Sequence, residues 1–307
     1  MLYEYAVEPQ AIGSSWGTFR YVFEKFGFDK GRLISEYPKR WLREVYDASL
    51  GLPPVEKKRI EEALSQARKN KLVRYGRNYD PAIGDWLRNA LTEHHRLPFH
   101  AIIASSNPGS DDFIIKVEDL DETQGIFAVP HDCEVERNVA SLSSAMEPLL
   151  SSAKRIVFVD AYYSPFNTKY QSVLRACLNI VHTAGREALC EVHYLDHKNA
   201  PSIDSIESNA NTKFRGIIPD GMKLSIYQWR EKQDGADFHA RYLLTDKGGI
   251  RIDAGFSAEG NHQTTDIALM DFELSQAKLR AFAREADVYE LVGPVLEIAS
   301  DGSAKRL

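Results

Sequence analysis

The sequence predicts an α/β protein, with a mixed sheet carrying helices on both faces in residues 133–307 and a mainly helical domain before it in residues 1–132. Three observations carry that expectation. Apolar residues recur at helical spacing up to about residue 93; from Phe99 the pattern changes to short apolar runs and period two; and beyond residue 150 strand-like and helix-like segments alternate. With 307 residues, 43% hydrophobic and 27% charged, the chain is long enough for two cores. No apolar run approaches the roughly 18 residues of a membrane span.

In chain order, residues 1–14 read as an extended lead-in, where Tyr3, Tyr5 and Val7 alternate with Glu4, Ala6 and Glu8. Ser14 or Ser15 caps a helix through about Phe26, with Trp16, Phe19, Val22, Phe23 and Phe26 on its apolar face. A second helix is expected over Tyr37 to Leu50 with Pro38 in its first turn, and a third from Pro53-Pro54 to about Tyr75, where Ile60, Leu64 and Ala67 share one side. A fourth covers Asp80 to about Glu93. Phe99–Ala104 and Phe113–Ile115 read as strands, and an amphipathic helix from about Val135 to Leu150 opens the second domain.

Charge is unevenly distributed. Residues 1–100 hold 17 Lys and Arg against 13 Asp and Glu, whereas residues 101–307 hold 21 against 31. Lys57, Lys58, Arg68, Lys69, Lys71, Arg74 and Arg77, interleaved with Tyr75 and Tyr79, are the candidate nucleic-acid-binding residues, because cations meet phosphates and aromatic rings stack on bases. A solvated helix face accounts for the same charges equally simply. Cys133, Cys177 and Cys190 are odd in number and lack a Cys-x-x-Cys spacing, and the chain begins without a basic-then-apolar leader, so a cytoplasmic location is expected. Gly-rich phosphate loops and a Gly-x-Ser-x-Gly elbow are both missing from the sequence. Asp160, His193, Asp196 and His197 make only an incomplete ligand set, so neither a metal nor another cofactor is expected.

The second domain is read as strand Arg155–Asp160, helix Lys169–Thr183, strand Leu189–Leu195, helix Ser202–Phe214 and strand Met222–Tyr227, followed by a hairpin. In that hairpin the glycines after Asp246 are expected to supply positive φ, so that Ile250 and Ile252 pair with Leu244 and Tyr242. His239 and Arg241, two residues apart on an extended strand, would project from one face. A neutral imidazole is a nucleophile, and a permanent cation beside it stabilises a pentavalent phosphoryl transition state. Asp160 and Tyr162 sit at the carboxyl end of a buried strand, where ligands of α/β sheets collect.

The spacing His239-x-Arg241-x4-Asp246 resembles the His-x-Lys-x4-Asp signature of the phospholipase D superfamily, with arginine in the place of lysine. Together with Val159-Asp160-Ala161-Tyr162, the Thr245–Gly249 turn and His262–Ile267, it is similar to the phospholipase D-like domain that ends proteins carrying a microtubule-interacting and trafficking domain. Related domains occur in bacterial defence-associated loci. The resemblance covers roughly residues 150–300 and implies His239, Arg241 and Asp246 as catalytic residues, with Asp160, Tyr162 and Ser257 binding substrate; Ser257 lies about where the family has a Gly-x-Asn.

Two functions follow from the resemblance. The first is a metal-independent phosphodiesterase, a nuclease working through a phosphohistidine, in antiviral defence with partner proteins of the locus. Since the chain carries a single motif, it would act as a homodimer that brings two copies of His239 together. The second is a catalytically silent module that binds an anion, a lipid headgroup or a protein.

Overall fold

The computed structural model describes residues 1–307 as two compact units, Met1–His131 and Asp132–Leu307. The first is built on five parallel strands, β1 (Tyr3–Val7), β2 (Arg32–Ser35), β3 (Leu72–Val73), β4 (Ala101–Ala104) and β5 (Ile114–Lys116), in the order β3-β2-β1-β4-β5. Its helices are α1 (Pro9–Gly13), α2 (Trp16–Glu24), α3 (Trp41–Ala48), α4 (Pro54–Asn70) and α5 (Trp86–Arg96). The expectation of a mainly helical domain is therefore corrected: the helices coat a sheet. Arg32, Leu33, Ile34 and Ser35 are all buried, and a strand covered on both faces has no polar alternation to reveal it. The buried Arg32 is satisfied by the carbonyls of Lys25 (2.9 Å) and Phe127 (3.0 Å).

Tyr5, Val7, Ile34 and Ile103 pack on one face of this sheet with Phe19, Trp41, Val45, Ile60 and Leu64, while Ala6, Ile102 and Ala104 meet Trp86 and Ala90 on the other. Strand order reverses between β1 and β4, the place where open parallel sheets form crevices. There the Glu8 carboxylate accepts hydrogen bonds from the Ser105 amide (2.6 Å) and hydroxyl (2.7 Å).

In the second unit β6 (Asp132–Arg137) and α6 (Val139–Ser152) precede three parallel strands, β7 (Arg155–Val159), β8 (Leu189–Leu195) and β9 (Lys223–Arg230). The connecting helices are α7 (Thr168–Thr183) and α8 (Ile203–Lys213). Antiparallel strands β10 (Tyr242–Thr245), β11 (Gly249–Ile252) and β12 (Gly260–Leu269) follow, then α9 (Phe272–Ala281), β13 (Glu290–Leu291), β14 (Leu296–Ala299) and β15 (Ala304–Arg306). The mixed sheet runs β15-β14-β9-β8-β7-β10-β11-β12-β6, with β13 beside β9. Helices cover both faces, because Phe158 lines a small void with Val173 and Leu174 of α7, whereas its neighbours Val157 and Val159 pack with Leu279 and Phe282.

The hairpin differs from the expected one. Tyr242 pairs with Arg251, Leu243 with Ile250 and Leu244 with Gly249, one residue away from the anticipated register, and neither Gly248 nor Gly249 has positive φ. The turn is held instead by the Thr245 side chain, whose oxygen donates to the Gly248 carbonyl (2.8 Å) and accepts from the amides of Lys247 and Gly248 (both 3.1 Å). Gly249 serves close approach: a Cβ there would lie 3.0 Å from the Cβ of Ser275 in α9.

Candidate functional site

The carboxyl ends of β7, β8 and β9 and the start of β10 make up one edge of the sheet in the second unit. Asp160 follows β7 at 1% exposure. One of its oxygens accepts from the Tyr162 amide (3.0 Å) and the other from the Phe256 amide (3.2 Å), while Arg241 Nε lies 3.6 Å from the first. Burial raises the pKa of this carboxyl, and the two amides, Arg241 and then Arg137 oppose the rise.

Arg241 is fixed from three sides. Beyond Asp160, its Nη1 donates to the Asp253 carbonyl (2.6 Å), and its guanidinium carbon lies 5.5 Å from the ring centre of Tyr162. Gly255 makes the arrangement fit: its φ is +78°, and a Cβ there would stand 2.3 Å from an Asp160 oxygen and 2.8 Å from Arg241 Cδ. At the end of β6 Arg137 donates to the Ser257 hydroxyl (2.5 Å) and to Gln263 (3.2 Å), and its Nε is buried without a partner. The Tyr170 hydroxyl is pushed up to about 12 by burial first and then by Asp160. Asp160 and Tyr162 thus stand against Arg241, and Ser257 is held by Arg137. Tyr162 is about half exposed, with the His197 ring 5.6 Å away.

The other two residues of the spacing have different neighbours. His239 precedes β10 instead of standing within a strand, and no hydrogen bond, ion pair or ring contact joins it to Arg241. Its ligating nitrogen and carboxylate oxygens of Glu231 and Asp237 are all within 4.8 Å of one another. Asp246 stands at the opposite end of β10, where one oxygen accepts the amides of Lys154 (2.7 Å) and Arg155 (3.1 Å) at the start of β7. Asp246 is thus separated from Arg241 by the length of β10, as the spacing led one to expect, while His239 and Arg241 both precede that strand, two residues apart. Asp160, His193, Asp196 and His197 also do not converge. His193 is fully buried between Glu191 (3.0 Å) and the Trp229 indole N–H (2.9 Å), with its pKa lowered by burial, and Asp196 pairs with Arg230 (2.7 Å).

In the first unit the basic candidates are largely committed to their own domain. Arg68 and Arg74 both hold the buried Glu36 carboxylate, and Arg77, 5% exposed, pairs with Glu4 and lies 3.9 Å over the Phe99 ring. Lys71 donates to the Phe26 carbonyl, and burial lowers its pKa. Lys57 sits 5.3 Å over Tyr46 and Lys58 is 4.0 Å from Glu62; Lys69 is exposed. Glu36 and Glu4 thus partner three of the arginines, of which Arg77 is buried while Arg68 and Arg74 stay more than half exposed.

Sequence reasoning missed Arg137, Gly255, Glu231 and Asp237. The last two had a visible signal, Glu231-x5-Asp237-x-His239, which combines ligand-type side chains at short range. The role of Gly255 had none, since only tertiary packing brings Asp160 against it.

No family model matches the chain, and no curated protein matches it. Among solved structures, TrmBL2, described as an archaeal chromatin protein with a novel mode of DNA binding, matches at 11% identity with a TM-score of 0.29. That match covers 54% of this chain and 55% of the other, so it spans about half of that protein's length.

Proposed function

We propose that residues 132–307 are a phospholipase D-like module that binds a phosphate-bearing ligand at Arg241, with Arg137 and the half-exposed Tyr162 beside it. The carrying observation is the fixed orientation of Arg241. Arg241 is held in one orientation by Asp160, the Asp253 carbonyl and Tyr162, while His239 keeps company with two carboxylates and Asp246 caps a strand. An arginine with its fork pre-aligned loses little entropy when it meets a phosphate. A nucleophile, by contrast, needs its cation at hydrogen-bonding range of the same phosphoryl group.

The test is binding of the full chain to a labelled single-stranded oligonucleotide and, separately, to vesicles containing an anionic phospholipid, with hydrolysis of both followed in EDTA. One arm is expected to bind, with Arg241→Ala weakening it by about 1.5–3 kcal/mol, the scale of hydrogen bonds to charged groups, and with no turnover. Equal binding by Arg241→Ala defeats the proposal. Turnover in EDTA that His239→Ala abolishes would replace it with the phosphodiesterase reading, for which a homodimer pairing two His239 side chains is the requirement.

A further inference from the structure

We infer that Glu231, Asp237 and His239 form a divalent transition-metal site, of the zinc class, distinct from the Arg241 site and independent of its function. The three side chains supply two carboxylate oxygens and one imidazole nitrogen, a donor set suited to such an ion. These atoms already lie within 4.8 Å of one another. An ion bound at about 2.0–2.2 Å from each donor draws them slightly closer, a movement that side chains with solvent on one side make by small rotations.

The backbone prepares the convergence. Glu231 directly follows β9, and one of its oxygens accepts the Phe238 amide at 2.6 Å, which leaves the other oxygen for an ion. Phe238 is 2% exposed and packs its ring against Phe282 (5.2 Å) and Tyr289 (5.1 Å). The Tyr289 hydroxyl donates to the Asp237 carbonyl at 3.2 Å. Burial of Phe238 therefore anchors the segment between the two exposed ligands, Asp237 and His239.

Charge supplies a separate argument. Two acids near the end of β9 have basic partners: Asp196 pairs with Arg230 and Asp287 with Lys232. Glu231 and Asp237 have no Lys or Arg in ion-pair range, yet the fold holds them beside each other. Two like charges kept together without a cation, with a nitrogen donor at the same point, are the electrostatic counterpart of a cation site. Three protein ligands leave at least one position open to water or another small ligand.

The experiment is titration of the metal-free full chain with Zn2+ by calorimetry and with Co2+ followed by its visible absorption. The expected result is one ion per chain and a Co2+ spectrum of low-coordinate nitrogen and oxygen ligation. Asp237→Asn and His239→Ala should each weaken binding by about tenfold or more, since even supporting groups around a metal contribute that much. His262→Ala, an exposed histidine on β12, should leave it unchanged. Both exposed ligand variants should keep the wild-type circular dichroism. Arg241→Ala should retain Zn2+ even if it loses anion binding, so this inference and the phosphate reading fail separately. Absence of stoichiometric binding by the wild type, or equal binding by Asp237→Asn and His239→Ala, overturns the assignment.

Discussion

Asp160 and Asp246 invite comparison because each is a carboxylate that accepts two backbone amides at an end of β7. Asp246 keeps a third of its side-chain surface in solvent and ties the incoming chain to the start of the strand. Asp160 is at 1% exposure, and its amides come from two different loops, with Arg241 and Arg137 in its field. The same local chemistry thus does different work. A carboxylate in water caps a strand, whereas a buried one becomes the fixed point around which cations are oriented. The His-x-Arg-x4-Asp spacing contains Asp246 and omits Asp160, yet it is Asp160 that stands beside its arginine.

The largest expected effect comes from crowding the buried end. Gly255→Ala places a Cβ against Asp160 and Arg241 at a left-handed backbone position, and should lower stability by about 3 kcal/mol or more, the upper range for local strain. Denaturant titration measures this, and a loss below 1 kcal/mol would mean that the close packing of Asp160, Arg241 and Gly255 is slack.

Next is the separation of binding from folding. Arg241→Lys, which keeps a cation beside the buried Asp160 but loses the planar fork, should weaken anion binding with stability changed by about 1 kcal/mol or less. Asp246→Ala should do the reverse, costing about 1–3 kcal/mol of stability through two uncapped amides while anion affinity stays the same. If Asp246→Ala also removes anion affinity, the two ends of β10 act as one site and the contrast collapses.

The smallest effect is on pH dependence. Because the Asp160 pKa is raised in the folded protein, the native state holds this proton more tightly than the unfolded one. Its contribution to stability is fully present below the ordinary aspartate value and is lost as pH rises through the folded value. Asp160→Asn should flatten that part of the stability–pH curve. A wild-type curve whose slope above the ordinary aspartate value is untouched by Asp160→Asn would contradict the assignment of the raised pKa to this residue.

Much of the architecture was legible in the sequence. The alternation after residue 150 identified β7, α7, β8, α8 and β9 in order, and the change of period near Phe99 marked β4. Ser15 does cap α2, accepting from the Thr18 amide at 3.3 Å. What escaped was β2, whose four buried residues show no alternation, and β3, two residues long at the tail of a basic helix. The hairpin register escaped because Thr245, and not glycine, shapes the turn.

The sequence by itself determined the α/β class, the order of elements in the second unit and the presence of a His-x-Arg-x4-Asp spacing, because periodicity and turn chemistry act over a few residues. Only the tertiary structure decided which of those residues meet. It joined Arg241 to Asp160 and Gly255, residues brought from three separate loops, and gave His239 the company of Glu231 and Asp237. It also paired Arg77 with Glu4 in the interior and brought Arg68 and Arg74 to the buried Glu36. The physical reason is that a charge leaving water must find its partner in space, and burial, which no linear spacing records, sets which partner is at hand.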